Sequence, residues 1–481
     1  MPLKLFGLFA FVLLGMGFVL RPTGAVAPTP TGMDRPNIIL IVADDLGLYD
    51  LGCYGNDIIE TPRLDAMAAA GLKFNAAYCA APICSPSRAA IQTGLAPART
   101  GMTEHLRGTP TPTDCQPVIA PRNAIRLAYA YRTIGEALQD QDYRTLYVGK
   151  WHLGGFAYGP LRHGYDVSLA AGGQGLPNSF FRPFFNGNPF PELNTTAAGD
   201  DYLTDAITTL ALDALPTDDT PFFLNLNYYS PHVPIEGPPE LVQKYEEILA
   251  PTNREFPNAE YAAMVETIDS QVGRLVDSLE ARGLMENTII LFTSDHGALT
   301  VEEVAAFAEN TPPTDSGPLR DGKGYIYEGG LRVPLIVYAP GRLSPAEINR
   351  PNSNVDYFPT ITALAGNPET TPDGEVIPSI TQTPDLDGQR TLYFHFPHYS
   401  PQRGMPAGAI IEGNEKYIDW YSDVDSSYYV NLEADPGEAN PADGATVPRA
   451  QELRAKLEAW RDSVGARPAI PNPNFDPSNC N

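Results

Sequence analysis

One cysteine of this sequence stands in a short segment of small and basic residues. The segment, CSPSRAAIQTG, begins at Cys84 and includes Arg88. The chain has five cysteines in all, and the other four are Cys53, Cys79, Cys115 and Cys480. In an oxidising compartment an odd number leaves at least one cysteine unpaired or chemically altered. Cys84 is our candidate for that residue, and the pairing of the others stays open.

Further side chains capable of chemistry follow four apolar runs that predict buried strands. The runs are residues 37–43, 145–148, 222–227 and 288–293, and the polar residues that follow them are Asp44, Asp45, Lys150, His152, His232, Asp295 and His296. Helices predicted at 133–142 and 258–282 alternate with these strands and indicate a parallel, doubly wound sheet, to which residues 335–338 add a strand. Ligands of such sheets bind beyond the carboxyl ends of the strands, so we expect these side chains to meet at one edge.

Three aspartates and one histidine of this set form an oxygen-rich group of metal ligands. Carboxylate oxygens suit a hard divalent cation such as Ca²⁺ or Mg²⁺, whereas His296 would also suit zinc. Carboxylates this close together repel one another unless a cation lies between them. The residues therefore predict a divalent metal held by Asp44, Asp45, Asp295 and His296.

Fixed positive charges accompany the predicted metal ligands. Arg88, Lys150 and Lys323 have no carboxylate at helical i,i+4 spacing, so a local surface ion pair does not explain them. The segment SPHVP fixes His232 between two prolines and stiffens the loop that presents it. Transfer of a multiply charged oxyanion group needs a metal and cations around a nucleophile, because the negative oxygens must be held during attack.

Length and charge limit the other classes of function. With 481 residues and 43% apolar composition, the chain can bury the core of a large domain and an accessory one. The formal net charge of −26 disfavours binding to nucleic acid or to an anionic membrane surface. An anionic substrate must therefore meet a local region of positive charge.

The first 27 residues have the pattern of a signal peptide. Lys4 supplies the positive start, residues 5–20 are apolar and uncharged, and Ala25-Val26-Ala27 is a small-residue cleavage site. An uncleaved membrane anchor is the competing interpretation, but the apolar run is shorter than the ~20 residues that span a bilayer. We expect a secreted or periplasmic protein with no membrane attachment after cleavage.

Five motifs together resemble a known family. CSPSRAAIQTG, GKWHLG, SPHVP, SDHG and GKGYIYEGGLRVPLIVYAPG occur in this order, and they resemble the type I, formylglycine-dependent sulfatases of the alkaline phosphatase superfamily. The resemblance implies an α/β fold with a large, mostly parallel sheet sandwiched by helices. It places the catalytic domain at 36–370 after a linker at 28–35, and a small antiparallel-sheet subdomain at 371–481 with a closing helix near 450–465.

The resemblance also implies how Cys84 becomes reactive. A formylglycine-generating enzyme or an anaerobic sulfatase-maturating enzyme would oxidise Cys84 to formylglycine (3-oxoalanine), whose hydrate carries two hydroxyl groups. One hydroxyl would attack the sulfur and form a sulfoenzyme intermediate, and the second would expel sulfate. An ordinary serine offers no second hydroxyl for that release.

Roles for the other residues follow from the matching motifs. The resemblance implies that Ca²⁺, in preference to Mg²⁺, is bound by residue 84 together with Asp44, Asp45, Asp295 and His296. Arg88 would stabilise the hydrate, Lys150 and Lys323 would hold sulfate oxygens, His152 would assist proton transfers, and His232, alone or with Lys323, would protonate the leaving oxygen. The sequence departs from many relatives, which have Asn at position 296 and Arg at position 95.

A sulfated polysaccharide or glycosaminoglycan is the substrate class that the resemblance favours. We expect specificity to come from loops 99–130 and 170–200 and their neighbourhood, which include His105, Arg107, Arg162, His163 and Arg182. Two alternatives stay open. One is a phosphodiesterase or phosphonate monoester hydrolase of the same superfamily, and the other is an unmodified, inactive relative that binds sulfated glycans.

Overall fold

The computed structural model describes residues 35–106, 112–196, 201–303, 307–381, 385–422 and 427–480. The predicted signal peptide, the predicted linker up to residue 34 and the candidate Arg107 lie outside the described residues. Among the helices that are described, none is long and apolar enough to cross a membrane.

Strands and helices alternate through most of the described chain. The strands are β1 Asn37–Ala43, β2 Leu72–Phe74, β3 Ala77–Tyr78, β4 Val118–Ile119, β5 Arg144–Gly149, β6 Val167–Leu169, β7 Phe222–Asn227, β8 Thr288–Ser294, β9 Leu335–Tyr338, β10 Ala346–Ile348, β11 Asn352–Ser353, β12 Thr391–Phe396, β13 Ala407–Glu412, β14 Glu415–Trp420, β15 Ser427–Asn431, β16 Ala442–Asp443 and β17 Ile470–Pro471. The helices are α1 Pro62–Ala70, α2 Cys84–Thr93, α3 Pro97–Thr100, α4 Ile134–Gln139, α5 Leu203–Ala214, α6 Pro239–Leu249, α7 Ala259–Ala281, α8 Glu328–Leu331, α9 Tyr357–Leu364, α10 Pro378–Thr381 and α11 Pro448–Val464.

The central sheet has eight strands in the order β10-β2-β9-β8-β1-β7-β5-β6. The ladders from β8 through β1, β7 and β5 to β6 are all parallel. Strand β9 runs antiparallel to both of its neighbours. The prediction of a large, mostly parallel sheet is therefore confirmed, with the strand predicted at 335–338 as the antiparallel member.

Each face of the sheet is covered by its own hydrophobic core. Because successive side chains of a strand point to opposite faces, Ile39 and Ile41 of β1 join the core under α1, α5, α6 and α7. Ile38 and Leu40 join the core under α2, α4 and α9. Burial on both faces explains why β1 is a continuous apolar run rather than an alternating one.

The C-terminal region forms a second sheet, in which β12 to β16 follow one another in antiparallel order. Leu453 and Leu457 of α11 pack on its outer face against Ile410 and Tyr417. Helix α11 corresponds to the closing helix predicted near 450–465. The domain boundary between residues 370 and 371 stays a prediction.

A disulfide joins Cys115 to Cys480 across 365 positions of sequence. Beside it, β4 and β17 pair, so the C-terminal tail is attached to the loop before α4. Cys53, Cys79 and Cys84 are free thiols. The structure therefore resolves the pairing that the sequence left open.

Candidate active site

The carboxyl ends of β1, β5, β7 and β8 meet at one edge of the sheet, as expected for parallel strands. Backbone hydrogen bonds join the segments that leave these ends: Asp44 N donates to Ser230 O (3.1 Å), and Lys150 N donates to Asn227 O (2.9 Å). The structure brings the ten predicted site residues together there, and all ten are buried: Asp44, Asp45, Cys84, Arg88, Lys150, His152, His232, Asp295, His296 and Lys323.

Two of these residues have backbone conformations that non-glycine residues rarely adopt. Asp45 has a φ of 66° just after β1, and His152 has a φ of 51° just after β5. Left-handed conformations of this kind cost energy and persist where the surrounding structure requires them. Here they turn each chain sharply as it leaves the sheet, beside the buried thiol.

Helix α2 presents Cys84 and Arg88 on one face. Cys84 is the first residue of the helix, where the free backbone N–H groups and the helix dipole favour a negative charge. Arg88 follows one turn later. Its Nε donates to Asp295 Oδ2 (2.9 Å) and one terminal nitrogen lies 3.3 Å from Asp44 Oδ1. This guanidinium therefore connects the ends of β1 and β8 beneath the thiol.

The Cys84 thiol lies among positive charges. Its Sγ is 3.2 Å from His296 Nε2 and 3.5 Å from Lys150 Nζ. Burial by itself raises the pKa of Cys84, but Lys150, Lys323 and His296 outweigh burial and hold that pKa well below its ordinary value. The position is therefore suited to an anionic nucleophile.

Two carboxyl groups beside the thiol have pKa values shifted in opposite directions. Burial raises the pKa of Asp44 to about 7, although Lys150 lies only 2.5 Å away and opposes the rise. Burial also raises the pKa of Asp295, but Arg88 and His296 lower it more, so that it lies below its ordinary value. The negative charges of Asp295 and Cys84 also raise the pKa of Asp44. A cation bound beside Asp44 would offset this repulsion.

Lys323 links His232 to Asp45. Its Nζ donates to Asp45 Oδ2 and to His232 Nε2, each at 2.8 Å. Nδ1 of His232 donates to Val233 O (2.9 Å), which leaves Nε2 as the acceptor. Burial lowers the pKa of Lys323, but Asp45 and Cys84 raise it above its ordinary value, so this lysine stays charged.

The pKa of His152 falls far below its ordinary value. Burial lowers that pKa to about 4, against a hydrogen bond with Cys84 that raises it. Nδ1 of this ring is buried without a hydrogen-bond partner. A neutral imidazole in this position can accept a proton from residue 84.

A sequence profile of one family, described as "Sulfatase", matches residues 36–367 of this chain. The chain belongs to the sulfatase family. A second profile, described as "N-sulphoglucosamine sulphohydrolase, C-terminal", matches residues 321–463. The match supports a sulfuric ester hydrolase over the phosphonate monoester hydrolase considered from sequence.

Individual relatives agree with this assignment. A sulfatase of Formosa agariphila is 30% identical over 531 residues, covering 92% of this chain and 92% of that protein. The N-acetylgalactosamine-6-sulfatase of Rattus norvegicus is 33% identical over 366 residues, covering 71% of this chain and 63% of that protein, which is less than two thirds. The protein in the crystal structure of Ps i-CgsB in complex with k-i-k-neocarrahexaose is 26% identical in sequence. The structural match has a TM-score of 0.71 and covers 89% of this chain and 92% of that chain.

Sulfatases generally use a formylglycine and a divalent metal, and the residues of this sulfatase fit a metal. Asp44, Cys84, Asp295 and His296 each present a ligand atom, and these atoms lie within 4.8 Å of one another. Nδ1 of His296 donates to a backbone carbonyl at 2.9 Å, which aims Nε2 at the site. Asp45 Oδ1 is buried without a hydrogen bond and lies 3.2 Å from His296 Nε2. Carboxylates with one imidazole suit Ca²⁺ or Mg²⁺, and the imidazole keeps zinc as a rival.

Three further residues shape the site of this sulfatase, and the sequence did not single them out. Asn227 Oδ1 accepts a hydrogen bond from Arg88 (3.1 Å), and the negative charge of Glu303 acts on Lys323. A Cβ at Gly175 would lie 2.6 Å from the His152 ring, so a larger residue at this position would displace that ring. Asn227 is the last residue of the apolar run FFLNLN, and a polar residue at the end of a predicted strand could have identified it from sequence. Glu303 and Gly175 have no such local pattern.

The loop residues predicted for specificity differ in their surroundings. His105 lies close enough to His152 for its charge to lower that pKa. Arg182 forms an ion pair within its own loop, whereas His163 is fully buried. Arg162 is exposed.

Proposed function

We propose that this sulfatase is exported and removes sulfate ester groups from a sulfated polysaccharide or glycosaminoglycan. It would use formylglycine at position 84 and a bound Ca²⁺. The observation that carries the proposal is the buried position of Cys84 Sγ, 3.2 Å from His296 and 3.5 Å from Lys150, among three aspartates. A single thiol in such surroundings suits attack on an anionic ester better than it suits structural packing.

Two findings support a glycan as the substrate. The second profile that matches the chain is named for an N-sulphoglucosamine sulphohydrolase. Relatives with a printed substrate include an N-acetylgalactosamine-6-sulfatase and a protein crystallised with a neocarrahexaose. All three names refer to sulfated or carbohydrate compounds.

The metal and the formylglycine supply, respectively, positive charge on the sulfate oxygens and a hydroxyl that attacks sulfur. Asp44, Asp45, Asp295 and His296 would hold the metal. Asp45 would do so with Oδ1, which lies 3.2 Å from the ligand atom Nε2 of His296. Calcium is proposed because three of these four ligands are carboxylates.

The chain's own side chains hold the ester and move protons. Lys150 and Lys323 hold sulfate oxygens, since both ammonium groups are buried beside residue 84 and have no water to compete with the substrate. His152, neutral because of burial, takes the proton from residue 84. His232 gives the leaving oxygen a proton that its Nε2 first receives from the charged Lys323, 2.8 Å away, so the two residues share that role. Arg88 keeps the hydroxyl groups at residue 84 oriented through the carboxylates it binds.

Export is supported by the disulfide between Cys115 and Cys480, because such bonds persist in oxidising compartments. The signal-peptide pattern at residues 1–27 supports the same location. Cys84 would be modified before folding is complete, since the folded chain buries it. A maturating enzyme is therefore a required partner.

The test combines the mass of the peptide that contains residue 84 with the hydrolytic activity of the protein. The peptide that contains Cys84 should be lighter than the unmodified peptide by the difference between H₂S and O, and a Cys84→Ala variant should show neither this change nor turnover. Hydrolysis of an aryl sulfate should exceed that of the matching aryl phosphate at least about tenfold, because catalytic groups aligned for one transition state discriminate against another. An unmodified thiol in active protein, or faster phosphate hydrolysis, would refute the proposal. An unmodified and inactive protein that still binds sulfated glycan would support the binding-protein alternative.

A further inference from the structure

Two segments near the active site differ in charge from the rest of this acidic chain. Residues 116–135 and 143–165 contain no aspartate or glutamate, although the chain has 58 acidic and 32 basic residues. The side chains of Arg122, Arg126 and Arg162 are exposed there. Within the described part of the chain, none of the three pairs with a carboxylate. The segments therefore form a local region of positive charge on a protein with a formal charge of −26.

The same segments expose large apolar side chains. Phe156 is 61% exposed and Tyr129 is 53% exposed, and Ile125 and Leu161 are exposed to a similar degree. These four make up half of the eight most exposed large hydrophobic residues in the described ranges. Exposed apolar groups that cluster, rather than scatter singly, mark binding surfaces.

Direct contacts join the two segments into one surface. Leu127 N donates to Leu153 O (2.8 Å), and the rings of Tyr129 and Tyr158 stack with their centroids 4.9 Å apart. The Arg126 guanidinium lies over the Tyr158 ring at 4.6 Å. We call this surface the arginine–aromatic face and define it by Arg122, Arg126, Tyr129, Phe156, Tyr158 and Arg162.

The arginine–aromatic face continues from the active site. Lys150 and His152 belong to the same loop after β5 that goes on to Phe156 and Tyr158. Trp151 Nε1, within the site loop, donates to Tyr158 O (2.8 Å). The loop that carries two residues of the site therefore also carries part of this face.

The C-terminal tail holds the face in place. Arg467 donates to Arg122 O (3.0 Å), and Asn472 Nδ2 donates to Gln116 O (2.8 Å). The disulfide at Cys115 closes the same region. A surface that is already ordered loses little entropy when it binds a ligand.

We propose that the arginine–aromatic face binds the part of a sulfated glycan chain that lies beyond the ester being cleaved. The proposal rests on the proposed function and narrows it to chains longer than a single sugar. The C–H faces of sugar rings pack on exposed aromatic rings, and sulfate groups accept paired hydrogen bonds from guanidinium. One face that offers both groups, built from two segments that contain no aspartate or glutamate, matches a sulfated saccharide.

The experiment compares two substrates on the full-length, mature enzyme. Phe156→Ala and the double variant Arg126→Gln/Arg162→Gln are assayed with sulfated hexasaccharides of carrageenan, chondroitin and heparin and with a small aryl sulfate. For the hexasaccharide that is cleaved, KM should rise about tenfold with kcat unchanged, as expected when binding residues outside the reacting centre are lost. The aryl sulfate does not reach the face, so its kcat/KM should stay within about twofold. Leu386→Ala and Arg274→Gln, on exposed residues outside the face and the tail that holds it, are matched controls that should change neither substrate.

Each outcome decides the proposal. An unchanged hexasaccharide KM in the variants overturns it, and so does an equal loss with both substrates, which would indicate a structural role. If the wild type cleaves the aryl sulfate but none of the hexasaccharides, the glycan part of the proposed function fails. Calorimetric titration with the same hexasaccharides then tests binding at the face without catalysis. Binding that weakens about tenfold in the variants supports the proposal, and absence of binding to the wild type overturns the proposal. A dimer that dissociates in Phe156→Ala would assign the face to self-association instead.

Discussion

Lys323 and Glu328 are close in sequence, yet they belong to two clusters of buried charge that differ in what the charges surround. The Cys84 cluster consists of Cys84, Asp44, Asp45, Lys150, Asp295, His296 and Lys323. The Lys416 cluster consists of Tyr78, Glu328, Lys416 and Glu438. In the second, Lys416 Nζ lies 3.0 Å from an oxygen of each glutamate, and the Tyr78 hydroxyl donates to Glu328 (2.9 Å).

The two clusters show that buried charge alone does not indicate a catalytic site. The Lys416 cluster joins β14 to α8 and contains no nucleophile. The Cys84 cluster surrounds a thiol, brings four candidate metal ligands within 4.8 Å of one another, and lies where four strands end. Buried charges that pair only with one another hold elements together, whereas buried charges placed around a nucleophile and a set of metal ligands can act on a substrate. Four predictions test this distinction.

Replacing Lys323 by alanine should lower kcat/KM for an aryl sulfate by about 10³-fold, because a charged group that holds the sulfate and shares proton transfer is lost. The exposed Lys456, changed to alanine, is the control and should retain activity. Turnover in steady-state kinetics is the measurement. A loss of less than about tenfold would remove Lys323 from the catalytic machinery.

Replacing Lys416 by methionine should lower the free energy of unfolding by about 3–5 kcal/mol, because it leaves two buried glutamates without their cation. The specific activity of the folded protein should change little. Urea unfolding measures the effect, with Lys456→Met as the control. Adding Glu328→Leu and Glu438→Leu should recover much of the loss, and no recovery would contradict the account of an enclosed ion cluster.

Removal of the divalent metal by a chelator should abolish activity and lower the melting temperature. A metal present at 100 times its dissociation constant stabilises the native state by about 2.7 kcal/mol, which is lost with it. Calorimetry with and without added Ca²⁺ checks the prediction, and elemental analysis identifies the metal. Ca²⁺ should restore the wild type but should not repair Lys416→Met. Zinc as the bound metal would correct our proposal of calcium.

The smallest effect is expected from a partly exposed ion-pair group, in which Glu412 pairs with Arg449 and Lys456. Burial raises the pKa of Glu412, but hydrogen bonds from Lys456 and Arg449 lower it to about 2. Because the folded pKa lies below the unfolded value of 4.5, this pair stabilises the protein above that value. Stability should be lost as the pH falls from about 4.5 to about 2, and solvent screening should keep the loss small. Urea midpoints across this range should show the step in the wild type and not in Glu412→Gln.

The local pattern predicted much of the fold. Strands β1, β7 and β8 lie at or within one residue of the predicted runs, because strands buried on both faces are continuous apolar segments. Helix α7, predicted at 258–282, spans Ala259–Ala281, with Asn258 accepting a hydrogen bond from Tyr261 N at its start. The helix predicted at 133–142 is shorter, Ile134–Gln139, although its predicted Thr133–Glu136 capping box is present.

The candidate site was only partly accessible from the residues themselves. The convergence of Asp44, Lys150 and Asp295 follows from their places after parallel strands. Lys323 follows no such strand, and its role came from the family resemblance. Its partner Asp45 lies 278 positions away, so no local pattern could relate the two.

The sequence by itself determined which segments become strands and helices and which polar side chains stand at their ends, because periodicity and burial depend on neighbours along the chain. Only the tertiary structure decided which carboxylate meets which cation, that Lys416 is enclosed between Glu328 and Glu438, and that two acid-free segments form one face. Those pairings join residues far apart in the chain, and they depend on the order of strands in the sheet and on how the second sheet packs against the first.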